Sequence, residues 1–76
     1  MGIKNFIENF ASQFDDIDNN KFEPETKFRE IEGWSSLIAL SIMAMIDEEY
    51  GISIKGDDIR KSQTIIDLYN IVKTKL

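Results

Sequence analysis

Residues 33–50, GWSSLIALSIMAMIDEEY, decide the reading of this chain. The segment opens on a glycine, an aromatic and two hydroxyls. It runs from Leu37 to Ile46 with Ser41 as the only polar residue, and ends in Asp47, Glu48 and Glu49. It holds no proline and no glycine after Gly33, so it reads as a helix beginning near Ser35 or Ser36. Serine suits a helix start because its oxygen accepts an orphan backbone N–H, and Gly51 suits the stop because glycine enters the left-handed conformation freely. Ala39, Ile42, Met43, Ile46 and Tyr50 recur at spacings of three and four and are expected to face the core. Leu37, Ile38, Ser41, Met45 and Glu48 fall on the other side. Apolar groups on an outer face suggest a docking patch. Burial on several sides is the plainer alternative for Leu37, whereas Ile38 and Met45 are assigned to docking. A charge run is usually just a solvated face, but these three acids stand where the helix dipole prefers cations, which adds some weight to a recognition role.

Toward the N-terminus, Ile3, Phe6, Ile7, Phe10 and Phe14 form one apolar stripe, predicting a first helix over Ile3 to Phe14 with its phenylalanines in the core. Asp15 to Glu30 is then a long connection, pinned by Phe22 and Phe28 (and beyond it by Ile31), of a length that usually has a purpose or conceals a helical turn. A calcium loop starting at Asp16, with Asp18 and Asn20, fails because Lys21 and Lys27 occupy the glycine and glutamate positions. Toward the C-terminus, Ile52 and Ile54 are expected to pack inward. Gly56 to about Lys61 forms a brief third helix with Ile59 facing in. Thr64-Ile65-Ile66-Asp67 resembles a capping box. Ile65, Leu68, Tyr69 and Val72 then give the last helix its apolar face.

The bounds are narrow. The chain has 76 residues and reads as a single domain over 1–76. With no cysteine and no histidine, it lacks a thiol, the usual general base and the commonest metal ligand, so no enzyme activity and no metal site are expected. The net charge of −5 repels phosphate backbones, so no nucleic-acid partner is expected. The N-terminus lacks signal-peptide character, and Phe6 stands where a myristoylation motif needs Ser or Thr. The run from Leu37 to Ile46 is far shorter than the roughly 20 residues of a membrane span. A cytoplasmic monomer without stable membrane insertion is the expectation.

Ser36, read by position alone, is a helix cap. A hydroxyl there also suits a phosphodiester, since free N–H groups and the positive dipole end favour an anion. Gly33-Trp34-Ser35-Ser36-Leu37, followed by Glu48-Glu49-Tyr50-Gly51-Ile52, resembles the acyl carrier proteins, whose signature is typically Gly-x-Asp-Ser-Leu before a helix ending in Glu-Glu-aromatic-Gly. Phe28, Ile54, the pair Asp57-Asp58, and Thr64-Ile65 extend the resemblance over nearly the whole chain. It implies an all-α four-helix bundle of acyl-carrier type, with a short third helix and a long loop between helices one and two. It implies that Ser36 receives 4′-phosphopantetheine from coenzyme A through a magnesium-dependent phosphopantetheinyl transferase, and that the imported thiol carries acyl groups as thioesters. The partners it implies are acyl-transferring and ketosynthase-type enzymes of fatty-acid, polyketide or related biosynthesis. These would meet helix two at Leu37, Ile38, Ser41, Met45, Asp47 and Glu48. Ile42, Ile46, Ile54, Ile59 and Leu68 would line a space for an acyl chain.

Departures from the family pattern qualify this. Ser35 replaces the usual aspartate, and Ile38 and Ser41 replace acidic residues on helix two. Partners are therefore expected to rely more on apolar contact and to belong to a dedicated pathway. Ser62 stands where an apolar residue is more usual and is expected to loosen the packing. Ser35 is the rival modification site, and only the Ser-Leu pairing selects Ser36. Two alternative functions remain: an aminoacyl or aryl carrier of a peptide-synthetase or D-alanyl transfer system, and an unmodified interaction module of carrier-like fold.

Overall fold

The computed structural model describes residues 2–14 and 22–76. Among the described residues four α-helices follow one another: α1 (Ile3–Ala11), α2 (Ser36–Tyr50), α3 (Gly56–Lys61) and α4 (Ile65–Lys75), with a 3-10 turn at Phe28–Glu30 before α2. No strand is formed among the described residues; Lys27 and Thr64 make one isolated antiparallel bridge. The all-helical bundle with a short third helix is the architecture expected. The calcium reading at Asp16, Asp18 and Asn20 lies outside the described residues.

α1 buries the predicted stripe, with Phe6, Phe10 and Phe14 all in the core. The helix is shorter than expected and closes at Ala11, because Gln13 N–H bonds Phe10 O and Phe14 N–H bonds Ala11 O. These tighter i→i−3 contacts end the regular helix while keeping Phe14 on the core side. The connection is pinned where the sequence places its aromatics. Phe22 and Phe28 are buried, with Phe28 set between Phe10 (5.7 Å between ring centroids) and Trp34 (5.1 Å). The same segment completes α4, since the Ile65 and Ile66 N–H groups donate to Thr26 O and Pro24 O, satisfying donors that a helix start leaves open. Thr64 and Asp67 form the expected capping box. The Asp67 carboxylate accepts the Gln63 and Thr64 N–H groups, and these two bonds, Gln63's foremost, hold its pKa below the ordinary value. Gly51 ends α2 at φ 68°, the left-handed stop anticipated for it.

Two expectations are corrected. Met45, assigned to the docking face, is only 6 % exposed and belongs to the core with Ile42 and Ile46. Met45 and Ile46 stand three and four residues after Ile42, so at about 100° per residue they flank it on one buried arc. The arc is rotated away from the Ala39–Met43–Tyr50 side, whose residues are half-buried. Ser62, expected to loosen packing, is fully buried and donates its hydroxyl to Asp58 O at 2.9 Å, tying down the end of α3.

Candidate functional site: the start of α2

The chain reaches α2 through a sharp turn. Trp34 N–H bonds Ile31 O at 3.0 Å, and Gly33 takes φ 94°, a conformation costly for a residue with a Cβ. Trp34 is then held by Phe28 and, at 6.3 Å, by Phe14. Aromatic packing from α1 through the connection thus fixes the backbone two residues before Ser36.

The two serines divide the work. Ser35 is extended and is the N-cap: its Oγ accepts the Ile38 N–H at 3.3 Å, and its carbonyl accepts the first helical bond, from Ala39 N at 3.0 Å. Ser36 is the first helical residue and is exposed, and its hydroxyl has no hydrogen-bond partner among the described residues. The backbone N–H groups of Ser36 and Leu37 are likewise unpaired among those residues. An exposed hydroxyl therefore stands free beside two open donors at the positive end of a helix dipole, without serving the fold.

Ser36 lies on the lip of an open groove of about 390 Å³. Trp34, Ala39, Leu40 and Met43 form one side, while Gly56, Ile59 and Arg60 of α3 form the other, with Arg29 alongside. Of the five residues expected to line an acyl space, Ile42, Ile46, Ile54, Ile59 and Leu68 are all buried in one core cluster. Only Ile59 reaches this groove. The sequence reading overlooked Trp34, Ala39, Leu40 and Met43 as lining; for the last three the signal available was their place on the face of α2 that carries Ser36.

On the outer surface, Leu37 is 72 % and Leu40 60 % exposed, Ile38 and Ser41 are half-buried, and Asp47, Glu48 and Glu49 are exposed. Leu40 was not anticipated there. Among the described residues no cluster of histidine, cysteine, aspartate or glutamate could hold a metal ion, and no helix is long and apolar enough to cross a membrane.

These features suit a covalent phosphodiester arm: a free exposed hydroxyl, unpaired N–H donors to receive the anion, and an apolar groove beside it. Residues 5–72, most of the chain, match the phosphopantetheine attachment site family. Carrier domains of this family have no catalytic activity of their own and act through a covalently bound 4′-phosphopantetheine that enzymes service. The chain belongs to the phosphopantetheine attachment site family and is a carrier domain of acyl-carrier type.

Proposed function

We propose that Ser36 is the attachment residue and that the chain carries acyl intermediates for fatty-acid, polyketide or related biosynthesis. The observation that carries this reading is the free Ser36 hydroxyl at the first position of α2, directly before Leu37, opening on an apolar groove. When bound, the group supplies a thiol on which an acyl chain travels as a thioester. The chain's own contribution is positional. Ser35 caps the helix so that Ser36 need not. The unpaired Ser36 and Leu37 N–H groups would be the donors available to the phosphodiester, and Ala39, Leu40, Met43 and Ile59 would offer apolar cover to the near part of the cargo. An exposed serine also leaves its proton accessible to a transferase base as Ser36 Oγ attacks the pantetheine-bearing phosphorus of coenzyme A, the new P–O bond forming while the pyrophosphate P–O bond breaks and adenosine 3′,5′-bisphosphate leaves.

Partners, on this reading, meet α2 at Leu37 and Leu40, with Ile38 and Ser41 at the edge and Asp47 and Glu48 at the far end. The absence of charge between Ser36 and Ile46 supports apolar recognition by the enzymes of a dedicated pathway, which we place in the cytoplasm. A second reading, an aminoacyl or aryl carrier, draws on Ser35 in place of the family's usual aspartate.

Incubation with coenzyme A, magnesium and a broad-specificity phosphopantetheinyl transferase, followed by intact-protein mass spectrometry, tests the assignment. A gain of one phosphopantetheine mass, absent in Ser36→Ala, is expected. Loss of the gain in Ser35→Ala alone would transfer the site to Ser35. No gain with any transferase from the source organism would leave an interaction module. Loading with acyl, aminoacyl and aryl donors then separates the carrier types.

A further inference from the structure

Arg29, in the 3-10 turn, reaches across to the end of α3. Nη1 donates to Ile59 O at 2.9 Å, and Nη2 donates to Ser62 O at 2.6 Å and, more weakly, to Arg60 O at 3.5 Å. The guanidinium also lies 5.1 Å from the centroid of the buried Phe28 ring. Each element of this contact has a physical purpose. α3 has six residues and one buried side chain, Ile59, and a helix that short does not sustain itself in water. Its last carbonyls lack partners inside the helix, and a cation at that end is favoured by the dipole. Arginine's planar fork meets several acceptors at once in a fixed geometry, which lysine cannot do.

We propose that Arg29 is a positioning residue, a latch that holds α3 against the 3-10 turn and thereby sets the width and depth of the groove beside Ser36. The proposal rests on the reading of that groove as cover for the cargo. The two walls differ in how they are fixed. The α2 wall is anchored by Ile42, Met45 and Ile46 in the core. The α3 wall carries Gly56, Ile59 and Arg60 and is held toward its C-terminal end by Arg29, by the Ser62 N–H and hydroxyl bonds to Ile59 O and Asp58 O, and by Lys75, 3.9 Å from the Asp58 carboxylate. With the latch closed, cargo beyond the groove stays in solvent. With it released, α3 moves away from α2 and a path opens toward the packed side chains of Ile54 and Leu68.

Residue-resolved amide hydrogen exchange on the unmodified protein tests the latch, comparing wild type, Arg29→Gln and Arg29→Lys. Loss of the charge-assisted bonds is expected to speed exchange of the α3 amides roughly ten- to hundredfold relative to those of α4 in Arg29→Gln. Arg29→Lys, which keeps the cation and guards against loss of the fold, is expected to fall between. Equal acceleration in α1, α3 and α4, or none in α3, overturns the latch. This arm needs no cargo and stands whether or not Ser36 is modified. In the second arm the protein is loaded with straight acyl chains of increasing length and amide chemical shifts are followed. Perturbations should stay at Leu40, Met43 and Ile59 in wild type and extend to Ile54 and Leu68 with long chains in Arg29→Gln. The same pattern in both proteins overturns the role in cargo depth. Failure to load overturns the carrier reading and this cargo role with it, and the exchange data then decide the latch alone.

Discussion

The division of labour between Ser35 and Ser36 makes an experiment in which two adjacent serines behave oppositely. Ser35→Ala removes the bond from Ile38 N–H, 3.3 Å long and exposed, and leaves that donor to solvent. Loss of a serine N-cap costs about 0.5–2 kcal/mol. A long, exposed bond places the effect near ~1 kcal/mol, which for a domain of this size lowers the melting temperature by about 4–8 °C. Ser36→Ala removes no hydrogen bond among the described residues and introduces the best helix former, a gain of up to roughly 0.5 kcal/mol. Its melting temperature should be unchanged or slightly raised. Ser35→Asp keeps an oxygen at the cap and adds an anion at the positive helix end, which is worth about 0.3–1 kcal/mol. It should melt no lower than wild type. Far-UV circular dichroism gives the melting curves, and intact mass after transferase treatment gives the modification. Ser35→Ala should be less stable and still modified; Ser36→Ala should be stable and unmodified. Equal destabilisation by both alanines would refute the assignment of the cap, and modification surviving in Ser36→Ala would refute the assignment of the attachment site.

Met45 and Leu40 separate core from surface on one helix: Met45→Asp should unfold much of the population, whereas Leu40→Asp should leave the melting curve within about 0.5 kcal/mol of wild type and weaken only partner turnover. A stable Met45→Asp protein would contradict its burial. Phe28→Ala should cost about 3–5 kcal/mol, a large share of the roughly 4–11 kcal/mol expected for a chain of this length at ~0.05–0.15 kcal/mol per residue, and a urea unfolding midpoint lowered in proportion would show it. Asp67 contributes through a depressed pKa: its stabilisation is complete above the ordinary carboxylate value of 3.8 and is lost as pH falls through the lower folded value. The stability difference between wild type and Asp67→Asn should therefore be largest near neutrality and shrink in acid below that value. A difference that grew on acidification would reverse the sign of this linkage.

How much of this was legible beforehand follows from which signals were local. Gly51, the capping box at Thr64 and Asp67, the phenylalanine stripe of α1 and the limits of α3 are read within a few residues, and the structure keeps them. The orientation of α2 was not legible. Between Leu37 and Ile46 only Ser41 is polar, so the pattern has almost no preferred side and periodicity cannot choose a face. Met45 was therefore turned outward and Leu40 overlooked. The end of α1 was misjudged for a related reason. An apolar stripe continues through Phe14, yet a 3-10 closure keeps the same side chain inward without a regular helix. Arg29 carries no sequence signal at all: its partners are backbone carbonyls thirty or more residues away, brought near only by the tertiary fold.

The departures around Ser36 have a common physical character. Ser35 in place of aspartate keeps an oxygen at the N-cap, with the Ile38 N–H bound to it. Gly33, Trp34 and Phe28 still fix the approach to the helix, and Ile38 packs half-buried against the core. The local geometry that presents the Ser36 hydroxyl is thus complete without the aspartate, and what changes is the field around it. A neutral cap and a first stretch of α2 without charge weaken long-range attraction to basic partners, which is screened over about 8–10 Å at physiological salt in any case. On the proposed reading they leave short-range contact at Leu37 and Leu40 to discriminate. Selection of this kind acts through dissociation more than through encounter. Adding salt should therefore change the affinity of cognate enzymes little, while Ser35→Asp should change which transferases act on the protein without changing the backbone that holds Ser36.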